Sequence, residues 1–556
     1  MKVSLLVIAL GALTTFQACS GGAANPPNPP PDGGGSAGTT GASGTTGTAG
    51  TTGVAGTTGS AGTTSAAGTT GAAGTTDGGV DGSAGTSAQP DGGAAGTAAP
   101  AGSQSWPMFG RDYSNTRASA DASIGAAQVA GLRVAQRVAG AGVSSTPAVV
   151  DGVVYFSDYA GWLKAIDAKT GAVVWTTRLQ TTMLTPSPFV TADTVYIAGD
   201  ASNVYAVNRA TGVKKWSTKI ENTTSNRIWS SPIVVGDTLI IGAGSYQVFI
   251  PATPVFRGSI VGLRISDGGE KWRLPVCPEG QCGGGVSVWS SVAVDTTLKL
   301  AYIGTGQAYY PPAGPYSDAL IAIKYETGER AWVQQITAND VYNINSGDYT
   351  HDRDIGASPN LFEVSIGGTT RRLVGVGDKG GHYTAFDRET GTRVWQRVTD
   401  PRTPPGSPIG GIMGAPAVAN GRIYLTNNTS TQGTGRFDAR PGTCTAFALD
   451  AATGAVVWST PIPSGSFSGN VIANGLMYFV TYDGQLRVLD AGTGAILRSL
   501  PVGTELGGYV GAPTDGFPNG STSGPVVANG RIYAGYGWTW GASVMGGLAI
   551  LEAGAP

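Results

Sequence analysis

Charge is scarce in this chain: Asp, Glu, Lys and Arg make up only 13% of its 556 residues, and the formal net charge is −2. That balance supplies neither a basic footprint for nucleic acid nor an acidic tail. Histidine is scarcer still. His351 and His382 stand alone, too few for a zinc site and wrongly spaced from any cysteine pair. The four cysteines include no Cys-x-x-Cys-His segment, so no haem is attached in that way. The glycine-rich stretches read as turns and linker and open no helix, which leaves no phosphate loop, and no hydrolase triad pattern stands out. The apolar run at the N-terminus, Val3 to Leu13, is too short to cross a bilayer as a helix.

What is abundant is glycine, at 89 residues, together with strand formers and turn residues. Lys2 followed by the short apolar run reads as an export signal, residues 1–18. It ends in Phe16-Gln17-Ala18-Cys19, which resembles the lipobox of bacterial lipoproteins except for Phe16, where that motif usually has Leu. The resemblance implies acylation of Cys19, and Ser20 after it implies the outer membrane as destination. The alternative is an ordinary cleaved signal with an incidental cysteine. Residues 19–103 are a Gly-Thr-Ala-Ser tract with too little apolar side chain to offset the entropy of ordering, so a disordered linker is expected. Its mean reach as a flexible coil would be roughly 50 Å.

The remaining residues, 104–556, exceed the usual size of a single core, which leaves several domains or a repeat architecture. Repeats decide it. A segment reading Ala-x-Asp-x-x-Thr-Gly-x-x-x-Trp ends, with variations, at Trp175, Trp216, Trp272, Trp332, Trp395 and Trp458, and a seventh copy ends at Arg498. Ahead of each copy lies a small-residue turn, then strand, Asp-Gly or Asn-Gly turn, and strand, as in Ser145-Thr146-Pro147 through Tyr155. The turn recurs at Ser187, Ser231, Ser291, Ser358, Ala415, Gly469 and Gly524. Asn420-Gly421, Asn474-Gly475 and Asn529-Gly530 are hairpin signals. Units made only of strands bury both faces when stacked radially, which predicts an all-β, eight-bladed propeller with the Trp between blades. The eighth unit lacks its last strand, and Leu132 to Val138 is a spare one; pairing the two would close the ring.

Cys277-Pro278-Glu279-Gly280-Gln281-Cys282 is a short loop in an exported chain, so a local disulfide is the natural reading. Cys444 is then either buried and free or paired with one of those two.

The repeat resembles the tryptophan-docking motif of quinoprotein dehydrogenases, eight-bladed propellers that carry pyrroloquinoline quinone (PQQ) on their axis. Trp106-Pro107-Met108-Phe109-Gly110-Arg111-Asp112 with Asn115-Thr116-Arg117 is similar to their domain start. Phe256-Arg257-Gly258-Ser259 and Asp352-Arg353-Asp354-Ile355-Gly356 are similar to blocks of the polyvinyl alcohol dehydrogenases, the group this chain most resembles. The resemblance implies oxidation of secondary or polymeric alcohols, with PQQ, Ca²⁺ and a separate electron acceptor. It implies a cofactor floor at Trp289 and a cation against the quinone oxygens at Lys379; the plain alternatives are an inter-blade indole and a solvated turn lysine. For the metal it implies Gln247, Gln307 and Asn343, and for the base Asn343 or Asp340. These positions depart from the family. Gln247 stands where relatives have Glu, Gln307 where they have Asn, and Asn343 where they have the Asp that takes the proton. An amide can ligate through oxygen but does not accept a proton usefully at neutral pH. Asp352 and Asp354 are nearby alternatives. The vicinal cysteines of many relatives are replaced by Pro254-Val255. Two functions therefore stand: a PQQ-dependent alcohol dehydrogenase, or a non-catalytic lipid-anchored propeller that binds proteins or extracellular polymer.

Overall fold

A computed structural model describes residues 104–554 apart from 224, 254, 344, 346–351, 402–408, 433–439, 504–515, 518–521 and 540–544. All of them fall in one compact unit, Gln89–Pro556. The signal segment 1–18, Cys19 and the linker up to residue 103 lie outside the described residues. No described helix is long and apolar enough to cross a membrane.

Eight antiparallel sheets follow one another along the chain. Blade 1 runs over 148–178, blade 2 over 189–219, blade 3 over 233–275 and blade 4 over 293–335. Blade 5 covers 360–398, blade 6 417–462 and blade 7 471–501, with the short strand Ala118–Ser119 paired parallel to its inner edge. Blade 8 is built from both ends of the domain. Its strands Val526–Ala528, Arg531–Tyr536 and Met545–Ala553 take Leu132–Ala141 as the outermost member, with Leu132 opposite Ala553. The innermost strands of blades 8 and 1 touch, so the ring is closed.

The repeat residues explain how the blades dock. Each of the six tryptophans on an outermost strand donates its indole N–H to a backbone oxygen of the following blade, at 2.9–3.2 Å. The ring then lies on the Thr-Gly glycine of that blade. At Gly212, with φ +73°, a Cβ would stand 2.7 Å from the Trp175 ring, so the residue must be glycine both for its turn and for its neighbour. Within blades the same indoles tilt against Tyr155, Tyr196, Tyr302 and Tyr424 at centroid distances of 5.8–6.2 Å, pairs worth about 0.5–1.5 kcal/mol beyond area burial. Blades 7 and 8 substitute other groups. Arg498 donates to Leu132 O at 3.2 Å, and Gln136 packs on Gly171 where a tryptophan would lie.

Around the axis, the small residue ahead of each blade carries a second relay. Backbone N–H groups of Thr146, Ser187, Ser231 and Ser291 donate to the hydroxyls of Ser187, Ser231, Ser291 and Ser358 in turn, at 2.8–3.0 Å. Where the sequence changes to Ala415, Gly469 and Gly524, the relay stops and Arg117 takes its space. A Cβ on Gly524 would fall 2.1 Å from the guanidinium and one on Gly469 2.7 Å from it. Arg117 donates to Asn470 O and Phe109 O and faces the rings of Phe109 and Trp106.

It belongs to a strap, 106–119, that meets every blade in order. Trp106 bridges to Val149 of blade 1, Pro107 O accepts from Val190 of blade 2, and Tyr113 donates to Val234 O of blade 3. Tyr113 O, Ser114 O, Thr116 O and Arg117 O then accept from Val294, Leu361, Val418 and Ile472 of blades 4 to 7, and Ser119 donates to Val527 O of blade 8. The strap satisfies backbone groups that the innermost strands would otherwise leave open at the hub.

Cys277 and Cys282 are bonded, and Cys444 is buried and free.

Candidate functional site

The hub encloses a cavity of about 290 Å³, lined from every blade and bounded in part by Phe109 of the strap. Trp289, Gln307, Asp352, Asp354 and Lys379 all line it. Lys379 sits in the turn Asp378-Lys379-Gly380-Gly381 of blade 5, and the same turn occurs in blades 1 and 7. In each, a backbone N–H (Asp158, Asp378, Thr481) donates 3.0 Å to the oxygen four residues on. The next residue is then Tyr159, Lys379 or Tyr482, and each is buried. Lys379 is therefore an inward residue and not a solvated turn lysine.

Its ammonium lies 2.7 Å from both Asp352 Oδ1 and Asp354 Oδ2. Asp354 also accepts from the Trp289 indole N–H at 3.1 Å and from the Gln307 backbone N–H at 2.7 Å. With its amide turned so that nitrogen faces the carboxylate, Gln307 stands 3.2 Å from Asp354 Oδ2 as well. The Trp289 ring carries Lys379 Nζ 5.4 Å from its centroid and lies against Gly356, where a Cβ would collide at 1.6 Å. Any side chain at 356 would push the indole out of place.

The electrostatics follow from one cation among several acids. Burial works against the Lys379 charge, but Asp352 and Asp354 outweigh it and its pKa rises. Lys379 cannot serve every carboxylate at once. Burial pushes Asp352 up to about 8, opposed by Lys379 and aided by Asp354 and Asp340. Asp318, fully buried with no partner for either carboxyl oxygen, has its pKa raised well above the usual carboxylate range by burial and by Asp340, Asp354 and Asp352.

The other expected site residues are placed elsewhere. Gln247, Asp340 and Asn343 are buried, and none lines the cavity. Gln247 Oε1 accepts from the Phe256 N–H at 2.8 Å, and Asn343 holds Tyr309 O at 2.7 Å and the Asn345 N–H at 2.9 Å. Asp340 Oδ2 accepts from the Arg353 N–H at 2.7 Å. Their side chains bond to backbone groups of the surrounding loops. Asp352 and Asp354 do line the cavity. Arg227, Trp229 and Asp318 were not singled out from sequence; an alignment of the inner turns blade by blade would have flagged the first two as residues ahead of Ser231.

A family model described as outer membrane protein assembly factor BamB (PQQ_2) matches residues 90–365, 285–445 and 379–500, overlapping segments that together cover most of the chain. The chain belongs to the PQQ_2 family. This PQQ_2 propeller is 27% identical over 339 residues to a polyvinylalcohol dehydrogenase of Sphingopyxis sp. (strain 113P3), covering 52% of this chain and 49% of the relative. It is 26% identical over 345 residues to a quinohemoprotein alcohol dehydrogenase of Comamonas testosteroni, covering 53% and 46%. The chain thus spans about half the length of the curated relatives it matches. Among solved structures, the C. testosteroni enzyme superposes with a TM-score of 0.65 at 22% identity, over 82% of this chain and 81% of that one. The quinohemoprotein alcohol dehydrogenase ADHIIG of Pseudomonas putida HK5 gives 0.66 at 19%, over 81% and 80%. The PQQ_2 propeller resembles the quinoprotein alcohol dehydrogenases in fold and sequence.

Two groups follow from that resemblance, and the residues fit them unequally. A planar quinone matches the aromatic face of Trp289, the adjacent ammonium of Lys379 and the hydroxyls of the serine relay. Of the set expected for the metal, Gln307 lines the cavity, while the oxygens of Gln247 and Asn343 each accept a backbone N–H and neither residue lines it. No cluster of three or more His, Cys, Asp or Glu with metal-binding geometry occurs among the described residues.

Proposed function

We propose that this protein is an exported quinone-dependent dehydrogenase of secondary or polymeric alcohols, held to the outer membrane by a lipid on Cys19. The observation that carries the catalytic reading is the Trp289–Asp354–Lys379–Asp352 constellation on one wall of the hub cavity. Trp289 is the platform for the cofactor, fixed edge-on by Asp354 and from behind by Gly356. Two of the three ammonium protons of Lys379 are committed to Asp352 and Asp354, which leaves the third for an acceptor on the ligand. Asp352 is the base: its carboxylate takes the hydroxyl proton of the alcohol, and a pKa near 8 suits transfer close to neutral pH. A bound quinone supplies the acceptor for the hydride from carbon. Reducing equivalents then leave to a separate carrier, since the chain has no haem-attachment motif.

The test is reconstitution of the purified protein with PQQ, in Ca²⁺ and in lanthanide salts, followed by absorbance of the bound cofactor and dye reduction with secondary alcohols. Saturable cofactor uptake that disappears in Trp289→Ala supports the reading. Absence of uptake and of dye reduction in every salt refutes it and leaves the non-catalytic, polymer-binding propeller.

A further inference from the structure

Four segments outside the blade strands form a small ladder of their own beside the hub. Gly285, in the link from blade 3 to blade 4, is bridged to Arg257 on one side and Ala308 on the other, and Ala308 to Val341. Backbone bonds of 2.8–2.9 Å run from Gly258 N–H to Gly285 O, Val286 N–H to Gln307 O and Tyr309 N–H to Gly284 O. The ladder reaches the cavity. Gln307 and Tyr309 line it, as do Ser287 and Trp289 just beyond Val286, and the Tyr309 hydroxyl meets Ser287 Oγ at 2.6 Å. The Cys277–Cys282 disulfide closes a loop at the start of the same link, and both cysteines are buried. Arg257 spans that loop, donating to Cys282 O at 2.8 Å, Cys277 O at 3.3 Å and Pro278 O at 3.4 Å.

Between this loop and the Trp289 indole the backbone is strained. Val286 holds φ at +58° while fully buried, a conformation that a β-branched residue disfavours. Such a residue persists only where its surroundings over-determine it. The chain just before it is the opposite of rigid, since Gly283, Gly284 and Gly285 run in succession. Glycine is needed there for the ladder to close: a Cβ on Gly285 would stand 2.5 Å from the Tyr309 ring. The restraints left to hold Val286 are the ladder's own bonds and, upstream, the disulfide with Arg257.

We infer that the Cys277–Cys282 disulfide and Arg257 are positioning residues for the cavity wall, acting through Val286 to set Ser287 and Trp289. The disulfide removes freedom that the glycine-rich link would otherwise keep, and Arg257 fixes the closed loop against the ladder. The wall then meets its ligand already in place. The inference goes beyond the dehydrogenase reading and does not depend on it, because it concerns the wall whatever ligand the wall receives.

The test uses the full chain without cofactor. Hydrogen exchange reads the amides of Val286 and Tyr309. Fluorine NMR of protein labelled with 5-fluorotryptophan reads Trp289, its line assigned by loss in Trp289→Phe. In Cys277→Ala/Cys282→Ala, exchange at both amides should rise at least about thirtyfold, and the Trp289 line should shift or broaden. The Ala451 amide of blade 6, bonded to Gly421 O, should exchange as in wild type. Arg257→Met, with the disulfide intact, should raise the same two amides about tenfold or more, and Arg257→Lys less. Unchanged exchange or an unmoved Trp289 line in the folded double variant overturns the inference. So does a rise shared equally by Ala451, which would make the disulfide a general staple. If the double variant does not fold, the arginine variants decide alone: no rise in Arg257→Met, or an equal one in Arg257→Lys, overturns it. Turnover is not read, so failure here leaves the dehydrogenase reading standing, and failed cofactor uptake leaves this inference standing.

Discussion

Replacing Lys379 with Met tests the site through stability, with no cofactor required. The change removes the ammonium from between two carboxylates whose side chains are 2% and 7% exposed. They are not equally stranded. Asp354 keeps the N–H groups of Trp289 and Gln307, whereas Lys379 is the partner through which Asp352 is satisfied. Breaking a buried pair from one side costs roughly 3–5 kcal/mol. For a domain of roughly 450 residues the unfolding entropy is about 0.95 kcal/mol per degree, so the midpoint should fall by roughly 3–5 °C. Asp352 can escape the penalty only by binding a proton that the unfolded chain, with its ordinary carboxyl near 3.8, does not bind in this range. The folded-state value of about 8 holds with Lys379 in place and lies higher without it, so the deficit is largest above both values, shrinks by at most about 1.4 kcal/mol per unit as pH falls toward 8, and levels off below it, where wild type and variant carry the same proton. Lys379 itself stays charged in both states across that window, because its folded pKa also lies above its ordinary value. Lys379→Met/Asp352→Asn should recover most of the loss at pH 9, and Lys379→Met/Asp354→Asn much less. Urea melts at pH 6 and 9 read all of this. A loss below about 1 kcal/mol at pH 9, or one no larger at pH 9 than at pH 6, would show that the ammonium does not hold Asp352 as described.

Other outcomes follow from the same geometry. Asp352→Asn should lower turnover by about 10²–10⁴-fold while the protein stays folded, and the wild-type rate should climb as pH rises through about 8, where Asp352 gives up its proton; a pH-independent rate between 6 and 9 contradicts the assignment. Trp458→Ala should cost about 3–5 kcal/mol, since it empties a buried site and leaves Ala491 O only its longer bond from Arg422. Arg498→Ala, at the equivalent point of blade 7, should cost about 1 kcal/mol in a thermal melt. Arg117→Met should cost about 2–4 kcal/mol by leaving Asn470 O and Phe109 O without donors, and limited proteolysis should then cut within 104–119 faster than in wild type.

The fold was legible because each repeat states its geometry several times over. Asp450 with Thr453-Gly454 specifies a turn, its glycine specifies the neighbour's indole, and Asn420-Gly421 specifies a hairpin. The spare strand at Leu132 could be assigned because the eighth unit lacked one. The site was legible only where it depends on the repeat. Trp289 precedes the small-residue turn ahead of its blade, Lys379 occupies an inner turn shared by blades 1, 5 and 7, and both line the cavity. Asn343 and Asp340 lie in an irregular connection between blades 4 and 5, where sequence adjacency says little about direction, and a shift of a few residues brought Asp352 and Asp354 inward in their place. Arg117 was visible only as part of a family-like opening. That it replaces the serine relay at Gly469 and Gly524 depends on contacts more than 350 residues apart along the chain.

The hub also shows how a near-symmetric ring acquires chemistry. Blades 1, 5 and 7 make one and the same inner turn, with matching backbone hydrogen bonds, yet fill its inward position with Tyr159, Lys379 and Tyr482. Eight copies of a charge there would repel one another across the hub. One ammonium compensated by two carboxylates from the connection before its own blade is sustainable, since each added charge brings its partner. The same economy governs the far side, where Arg227 comes with Asp200. Asp318 has no such cation in contact, and burial with the neighbouring acids raises its pKa. The charges around the hub therefore come in pairs, and a substitution that alters one member of a pair should be felt first at its partner.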